Sequence, residues 1–284
     1  MINPELTLRS IFTKKFPAMT STLSDLIEKL YAPEILETQV IPWGCPVPSF
    51  GDLARAQVAT LGLNPSNREF VDADGTELDG DARRFHTLTS LGIAHWSDAK
   101  AQHLELIVES CRAYFSKNPY DGWFRQLDFI ISGTNTSYYA PANNACHLDL
   151  IPFATTCKLT SLTYREKLAL LEIAGDTLVR LLNESHIRIL ILNGRTVVQQ
   201  FEAMIGTPMK MTIQPTWALR RGNDYSIMGH AYRAEVKSIG GSKLRQKILA
   251  LGFNHNIQSS FGVTNNVRKA IQRWIAREAR NACI

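Results

Sequence analysis

The chain has 284 residues, 45% of them hydrophobic and 20% charged, with a formal net charge of +5 and five cysteines. That length supports one large domain, or one domain with an N-terminal addition. No apolar run approaches a membrane span, and Met1 to Phe16 lacks the apolar segment of a signal peptide, so a cytoplasmic protein with no membrane partner is expected.

In chain order, Thr20 to Ile35 predicts an N-terminal helix with Thr22 or Ser24 as its cap, and Val40 to Asp52 an extended lead-in rich in Pro and Gly. Val58 to Gly62 is a short apolar, β-branched run that ends in Gly62-Leu63-Asn64-Pro65-Ser66. This predicts a buried parallel strand that delivers a polar side chain to the carboxyl edge of a sheet. Residues 67 to 82 form an acidic loop, Arg84 to Gly92 a short helix, and residues 99 to 130 further aromatic-rich helices. A polar, aromatic loop (134 to 145) leads into a second strand, Cys146 to Phe153, with His147 and Asp149 on one face by alternation. Tyr164 to Asn183 predicts a crossover helix, Ile187 to Gly194 a third strand running straight into a helix, and Tyr225 to Arg233 a fourth strand ending on His230. Four strands separated by helical segments predict an α/β fold, a three-layer α/β/α arrangement around a four-stranded parallel sheet. Asn64, Asp149, Asn193 and His230 would then meet in one cleft.

The cysteines are scattered without a C-x-x-C pair and the seven histidines lack zinc-like spacing, so no metal, no iron–sulfur cluster and no cofactor are expected, and the thiols, Cys146 and Cys157 included, are expected as free core residues. From Arg233 onward the chain carries ten Lys or Arg against Glu235 and Glu278 alone. Such a stretch suits phosphate contacts, through Arg233, Lys237, Lys243, Arg245 and Lys247. Val267, Ile271, Trp274 and Ile275 mark the apolar face of a C-terminal helix.

Gly62-Leu63-Asn64-Pro65-Ser66 resembles the first catalytic motif of the uracil-DNA glycosylase superfamily, in its Gly-x-Asn-Pro version. Gly229-His230-Ala231-Tyr232-Arg233 falls where the second motif would, though it departs from the usual His-Pro-Ser. Leu148-Asp149-Leu150-Ile151-Pro152-Phe153 resembles the strand that reads the flipped base, and Leu192-Asn193-Gly194-Arg195-Thr196 the strand-to-helix step before the second motif. The resemblance implies a uracil-DNA glycosylase-like catalytic domain over 53–284, behind an N-terminal helical extension and lead-in loop at 1–52. It implies a monomeric, DNA-binding, monofunctional glycosylase that leaves an abasic site. In that reading Asn64 orients the attacking water, more by position than by basicity. His230 meets the charge that grows on the departing base.

Asp149 stands where uracil-specific relatives carry an Asn. An ionised Asp repels the O4 of uracil but accepts from the N4 amine of cytosine. The resemblance therefore points toward a cytosine-derived base and the phage-defence members that remove glucosylated hydroxymethylcytosine. Phe70, and after it Phe85, are the candidates to stack on the base, and His147 to line the pocket. Tyr232 or Arg233 would fill the gap that the flipped base leaves, and Asn193 and Arg195 would offer a helix start to a phosphate. Other readings stay open: a uracil or deaminated-base repair enzyme, a catalytically silent nucleic-acid binder, or an α/β enzyme acting on a free nucleoside or nucleotide.

Overall fold

The protein is described by a computed structural model over residues 17–117, 119–221, 225–258 and 260–282. Met1 to Phe16 and Cys283 lie outside the described residues.

The first helix, α1 (Pro17–Lys29), buries Leu23, Leu26 and Ile27 on one face. It stops short of the predicted Ile35, because Pro33 forces Ala32 out of the helical region (φ −59°, ψ 131°) and opens a separate short turn, α2 (Pro33–Leu36). Thr22 therefore sits inside α1 and is not its cap; its hydroxyl meets Glu184. Strand β1 (Val58–Gly62) is followed by α3 (Leu88–Leu91), α4 (Ala101–Ala113) and α5 (Asp121–Ile131), then by β2 (Ala145–Asp149). Thr87 and Ser90 close α3 with a capping box and Gly92 ends it in the left-handed region. The predicted single crossover helix is two, α6 (Tyr164–Ala174) and α7 (Thr177–Asn183), broken at Gly175. Strand β3 (Ile189–Asn193) leads into α8 (Arg195–Ile205). Three long strands, β4 (Lys210–Arg221), β5 (Tyr225–Ile239) and β6 (Ser242–Phe253), precede the C-terminal α9 (Asn265–Asn281).

The architecture is α/β, but the sheet has six strands, in the order β2-β1-β3-β6-β5-β4. Strands β2, β1, β3 and β6 are parallel, while β5 and β4 add antiparallel. This corrects the expectation of a four-stranded parallel sheet closed by Tyr225 to Arg233. That segment belongs to β5, which runs the opposite way. The place beside β3 is taken by Leu249–Phe253 of β6, paired with Ile189–Asn193. The cause is local: Gly240 and Gly241, at φ +56° and +78°, make a two-residue turn that folds β5 straight back onto β6. No helix intervenes to carry β5 across the sheet.

Every residue of β1, β2 and β3 is buried, so both faces of the parallel part are covered. The core is one cluster running from Met19 in α1 to Ala279 in α9. Register then sets the carboxyl edge: Gly62 stands beside Asp149, and Asn193 beside Phe253.

Candidate functional site at the carboxyl edge of the parallel strands

The register of β1 and β2 builds a polar chain into an otherwise apolar interior. Thr60 pairs with His147 and Gly62 with Asp149. The Thr60 hydroxyl lies 2.5 Å from the Tyr138 hydroxyl and 2.6 Å from His147 Nδ1, and His147 Nε2 lies 3.3 Å from Asp149 Oδ1. One consistent set of protons can be written for this chain. In it Tyr138 donates to Thr60, Thr60 donates to His147 Nδ1, and the Nε2–H donates to Asp149 Oδ1. Phe50, Trp123 and Phe124 surround the His147 ring at 5.1–5.4 Å between centroids. Asp149 is only 7% exposed, and its Oδ2 has no hydrogen-bond partner among the described residues. Gly62 makes room for this pair. A Cβ there would lie 2.4 Å from Asp149 Oδ1 and 2.9 Å from His147 Nε2. The close approach that Gly62 permits is thus by these two side chains.

Asn64 follows on the next turn of chain. Its Nδ2 faces three acceptors, the carbonyls of Pro65 (3.0 Å) and Phe153 (3.3 Å) and the hydroxyl of Thr155 (2.9 Å). Three oxygens around one nitrogen fix which way the amide points. Oδ1 is left as an acceptor with no partner among the described residues.

Beyond Asn64, the loop buries a carboxyl. Glu69 is 3% exposed, receives the Tyr114 hydroxyl at 2.8 Å and has Arg84 Nε at 3.9 Å. Burial pushes its pKa up to about 7, against the opposing pull of Tyr114 and Arg84 and with a further upward push from the Asp149 charge. With Oε2 occupied by Tyr114, Oε1 is the natural seat of the proton.

Several expected site residues turn out to be placed otherwise. Phe70 is packed edge-on to Trp43 and against Gly44, while Phe85 stacks on Tyr114 at 5.2 Å; both are 1% exposed and offer no free face to a base. Trp123, edge-on to His147 and only partly buried, is the aromatic nearest this polar pair that keeps some exposure. His230 is not at the end of a parallel strand. It lies within β5, level with the carboxyl edge because Ala231 pairs with Phe253. Its backbone is clamped by Asn254, whose Oδ1 accepts from His230 N at 2.8 Å and whose N–H donates to His230 O at 3.2 Å. Two strands lie between β5 and β1, an offset of roughly 14 Å at ~4.8 Å per strand.

Asn193 has both ends of its amide engaged. Nδ2 donates to Gln258 Oε1 at 2.8 Å, and Oδ1 accepts from Ile257 N at 3.2 Å. Gln258 in turn donates to the Trp123 carbonyl at 3.2 Å. Asn193 thus ties the loop leaving β6 to the wall of the site. Arg195 opens α8 and bonds through its N–H to the Asn254 carbonyl at 3.1 Å.

The basic residues divide. Arg233 is ion-paired with Glu235 (3.2 Å) and Glu278 (3.4 Å), and Lys247 with Glu235 (2.8 Å). The Arg245 guanidinium donates to the last carbonyl of α7, at Asn183, at 3.1 Å. Lys243 and Arg245 lie near the β5–β6 turn, roughly 26 Å or more from the carboxyl edge at ~3.3 Å per residue, and Lys237 lies on the strand that enters that turn. They are removed from this site. Tyr232 pairs with Gly252 on β6 and its ring is half-buried.

Thr60, Glu69, Trp123, Tyr138, Asn254 and Gln258 were not legible as site residues. Thr60 had a usable signal, since it shares the alternating face of β1 with Gly62. His255, on the loop after β6, is buried and bonds through Nε2 to the Trp217 carbonyl at 2.7 Å, with burial lowering its pKa. It pins β4 to this loop. Cys45, Cys111 and Cys146 are buried free thiols, whereas Cys157 is exposed rather than in the core. Among the described residues, no group of three or more His, Cys, Asp or Glu could hold a metal ion, and no helix is long and apolar enough to cross a membrane. Compared with models of protein families and with curated proteins, the chain matches none.

Proposed function

We propose that this chain is a monofunctional DNA glycosylase that flips and excises a cytosine-derived base, such as glucosylated 5-hydroxymethylcytosine, and leaves an abasic site. What supports the reading above all is the meeting, on neighbouring strand ends, of an orientation-locked Asn64 with the Asp149–His147 pair. Glycosidic cleavage by water needs a positioned nucleophile and a reader for an extruded base, and these side chains suit both tasks. Asn64 Oδ1 accepts from the water and holds it in line. Asp149 Oδ2 accepts from the exocyclic amine, with His147 keeping the carboxylate in its acceptor state.

Cytosine also presents acceptors at N3 and O2, which a carboxylate would repel. Glu69 answers that need, because a carboxyl that keeps its proton up to about pH 7 is a donor. Asp149 then supplies the acceptor and Glu69 the donor. The offset of His230 across two strands leaves its part in meeting charge on the departing base to be tested beside Asn64, and the raised pKa of Glu69 makes its carboxyl a second candidate for that part.

The test is direct. DNAs carrying uracil, a thymine mismatch, cytosine, 5-hydroxymethylcytosine and its glucosylated form are incubated with the protein, and abasic sites are scored beside an Asn64→Ala control. Release from the glucosylated DNA alone, lost in the control, is the expected result. Release from uracil would move the substrate to the repair class. No release from any DNA would sink the catalytic reading. The displaced His230 favours one rival, a catalytically silent nucleic-acid binder, which would bind these DNAs in a salt-dependent way without product.

A further inference from the structure

The β4–β5 hairpin reaches beyond the sheet it belongs to. Ladder pairing of β5 with β6 begins at Ala231↔Phe253; before it, Asn254 holds the backbone of Met228 and His230, and Tyr225 to Ile227 pair with β4 alone. Six residues at ~3.3 Å each carry this arm roughly 20 Å past the carboxyl edge that holds Asn64 and Asp149. The arm is anchored. Trp217, on the bulge of β4, is buried against Trp274 at 5.5 Å, and Gly229 crosses so closely that a Cβ there would lie 2.2 Å from the Trp217 Cβ.

On this rigid base the arm displays aromatic and cationic groups together. Tyr225 is 66% exposed and Phe261, on the loop leaving β6, is 75% exposed. Register places Tyr225 opposite Arg221, whose guanidinium lies over the Phe261 ring at 5.0 Å. Arg220 is exposed beside it, and among the described residues no carboxylate pairs with either arginine. From Met209 to Ala234 the sequence has Lys210, Arg220, Arg221 and Arg233 against the single acid Asp224. Large aromatics held out in water beside an anchored hairpin mark a binding surface. Their interleaving with arginines that no carboxylate pairs among the described residues matches the chemistry of unpaired bases joined by phosphates.

We propose that this arm is a second DNA-binding surface, on which Tyr225 and Phe261 stack against unpaired bases while Arg220 and Arg221 meet phosphates, holding the strand beside the excision site. The proposal rests on the glycosylase reading.

The test measures binding of labelled single-stranded and duplex DNA by fluorescence anisotropy across a salt series, for the whole protein and two double variants. Tyr225→Ala with Phe261→Ala should weaken single-strand binding by about tenfold or more. Arg220→Gln with Arg221→Gln should reduce the slope of log K against log salt by about 1.4. Tyr225, Phe261 and Arg220 are exposed and Arg221 is half-buried over the Phe261 ring, so melting temperatures should stay close to the parent and separate loss of binding from loss of fold. If the parent binds DNA and excises while both variants bind equally well, the arm proposal fails and the glycosylase reading stands. If the parent shows no salt-dependent DNA binding, both fail. Loss of self-association in sedimentation, with DNA affinity unchanged, would make the arm a protein interface and also overturn the proposal.

Discussion

Replacing Glu69 by Gln should remove a pH dependence from the stability of this protein. In the unfolded chain the carboxyl titrates near 4.5, and in the folded protein near 7, because burial opposes its charge. Between those values the folded state holds a proton that the unfolded state has released, so stability falls as pH rises. The contribution is fully present below about pH 4.5 and is lost as pH passes through about 7. At about 1.4 kcal/mol per pH unit, the span amounts to about 3 kcal/mol. Glutamine keeps the volume and an oxygen to receive the Tyr114 hydroxyl, but it carries no titrating proton. Urea unfolding of both proteins at pH 4.5, 6, 7 and 8 gives the difference directly. The parent should lose about 3 kcal/mol relative to Glu69→Gln across that range, most of it before pH 7.5. A difference that stays flat with pH would refute the assignment of a protonated, buried Glu69. It would also remove the donor that the base-reading scheme requires.

Three other perturbations follow from the same geometry. Gly62→Ala places a methyl against Asp149 and His147; it should destabilise by about 1–3 kcal/mol in denaturant unfolding and lower excision by displacing the pair. Thr60→Val keeps the shape but leaves the buried Tyr138 hydroxyl and His147 Nδ1 without their shared partner. A loss of about 1–3 kcal/mol is expected, with ¹⁵N NMR of the imidazole showing release of the Nε2–H tautomer; an unchanged tautomer would deny the chain its orienting role. Asn193→Ala removes both bonds that hold the loop after β6; amide exchange at Ile257 should speed up well before global unfolding, and exchange at the parental rate would show that the loop is held by other means.

Much of the parallel core was legible because its signals are local. Val58 to Gly62 and Ile187 to Gly194 are short apolar runs ended by Gly or Asn, and alternation along Cys146 to Asp149 sets His147 and Asp149 on one face. At the helices, Pro33 and Gly175 break what the apolar pattern alone would run together. The larger miss, the antiparallel half of the sheet, had its cue in Gly240-Gly241, a two-residue turn between β5 and β6. Reading that pair as a hairpin makes Tyr225 to Arg233 antiparallel and hands the fourth parallel position to the strand that follows. Glu69 was beyond such reading. It lies in a loop of acidic residues, and only the packing of Tyr114, Phe85 and Arg84 around it separates it from its exposed neighbours.

Under the proposed reading, the same packing gives these buried polar groups a task. A buried carboxylate normally lowers its cost by pairing with a cation, as Arg233 does for Glu278 at the surface. Asp149 has His147 as its partner and keeps one oxygen without a hydrogen bond among the described residues, while Glu69 sits 3.9 Å from Arg84 yet has its pKa pushed up to about 7 by burial. For stability alone, two apolar residues would serve this place better. An acceptor at Asp149 and a donor at Glu69, with the Asn64 amide locked by three oxygens beside them, is what the proposed recognition of a polar, planar base would ask of this place.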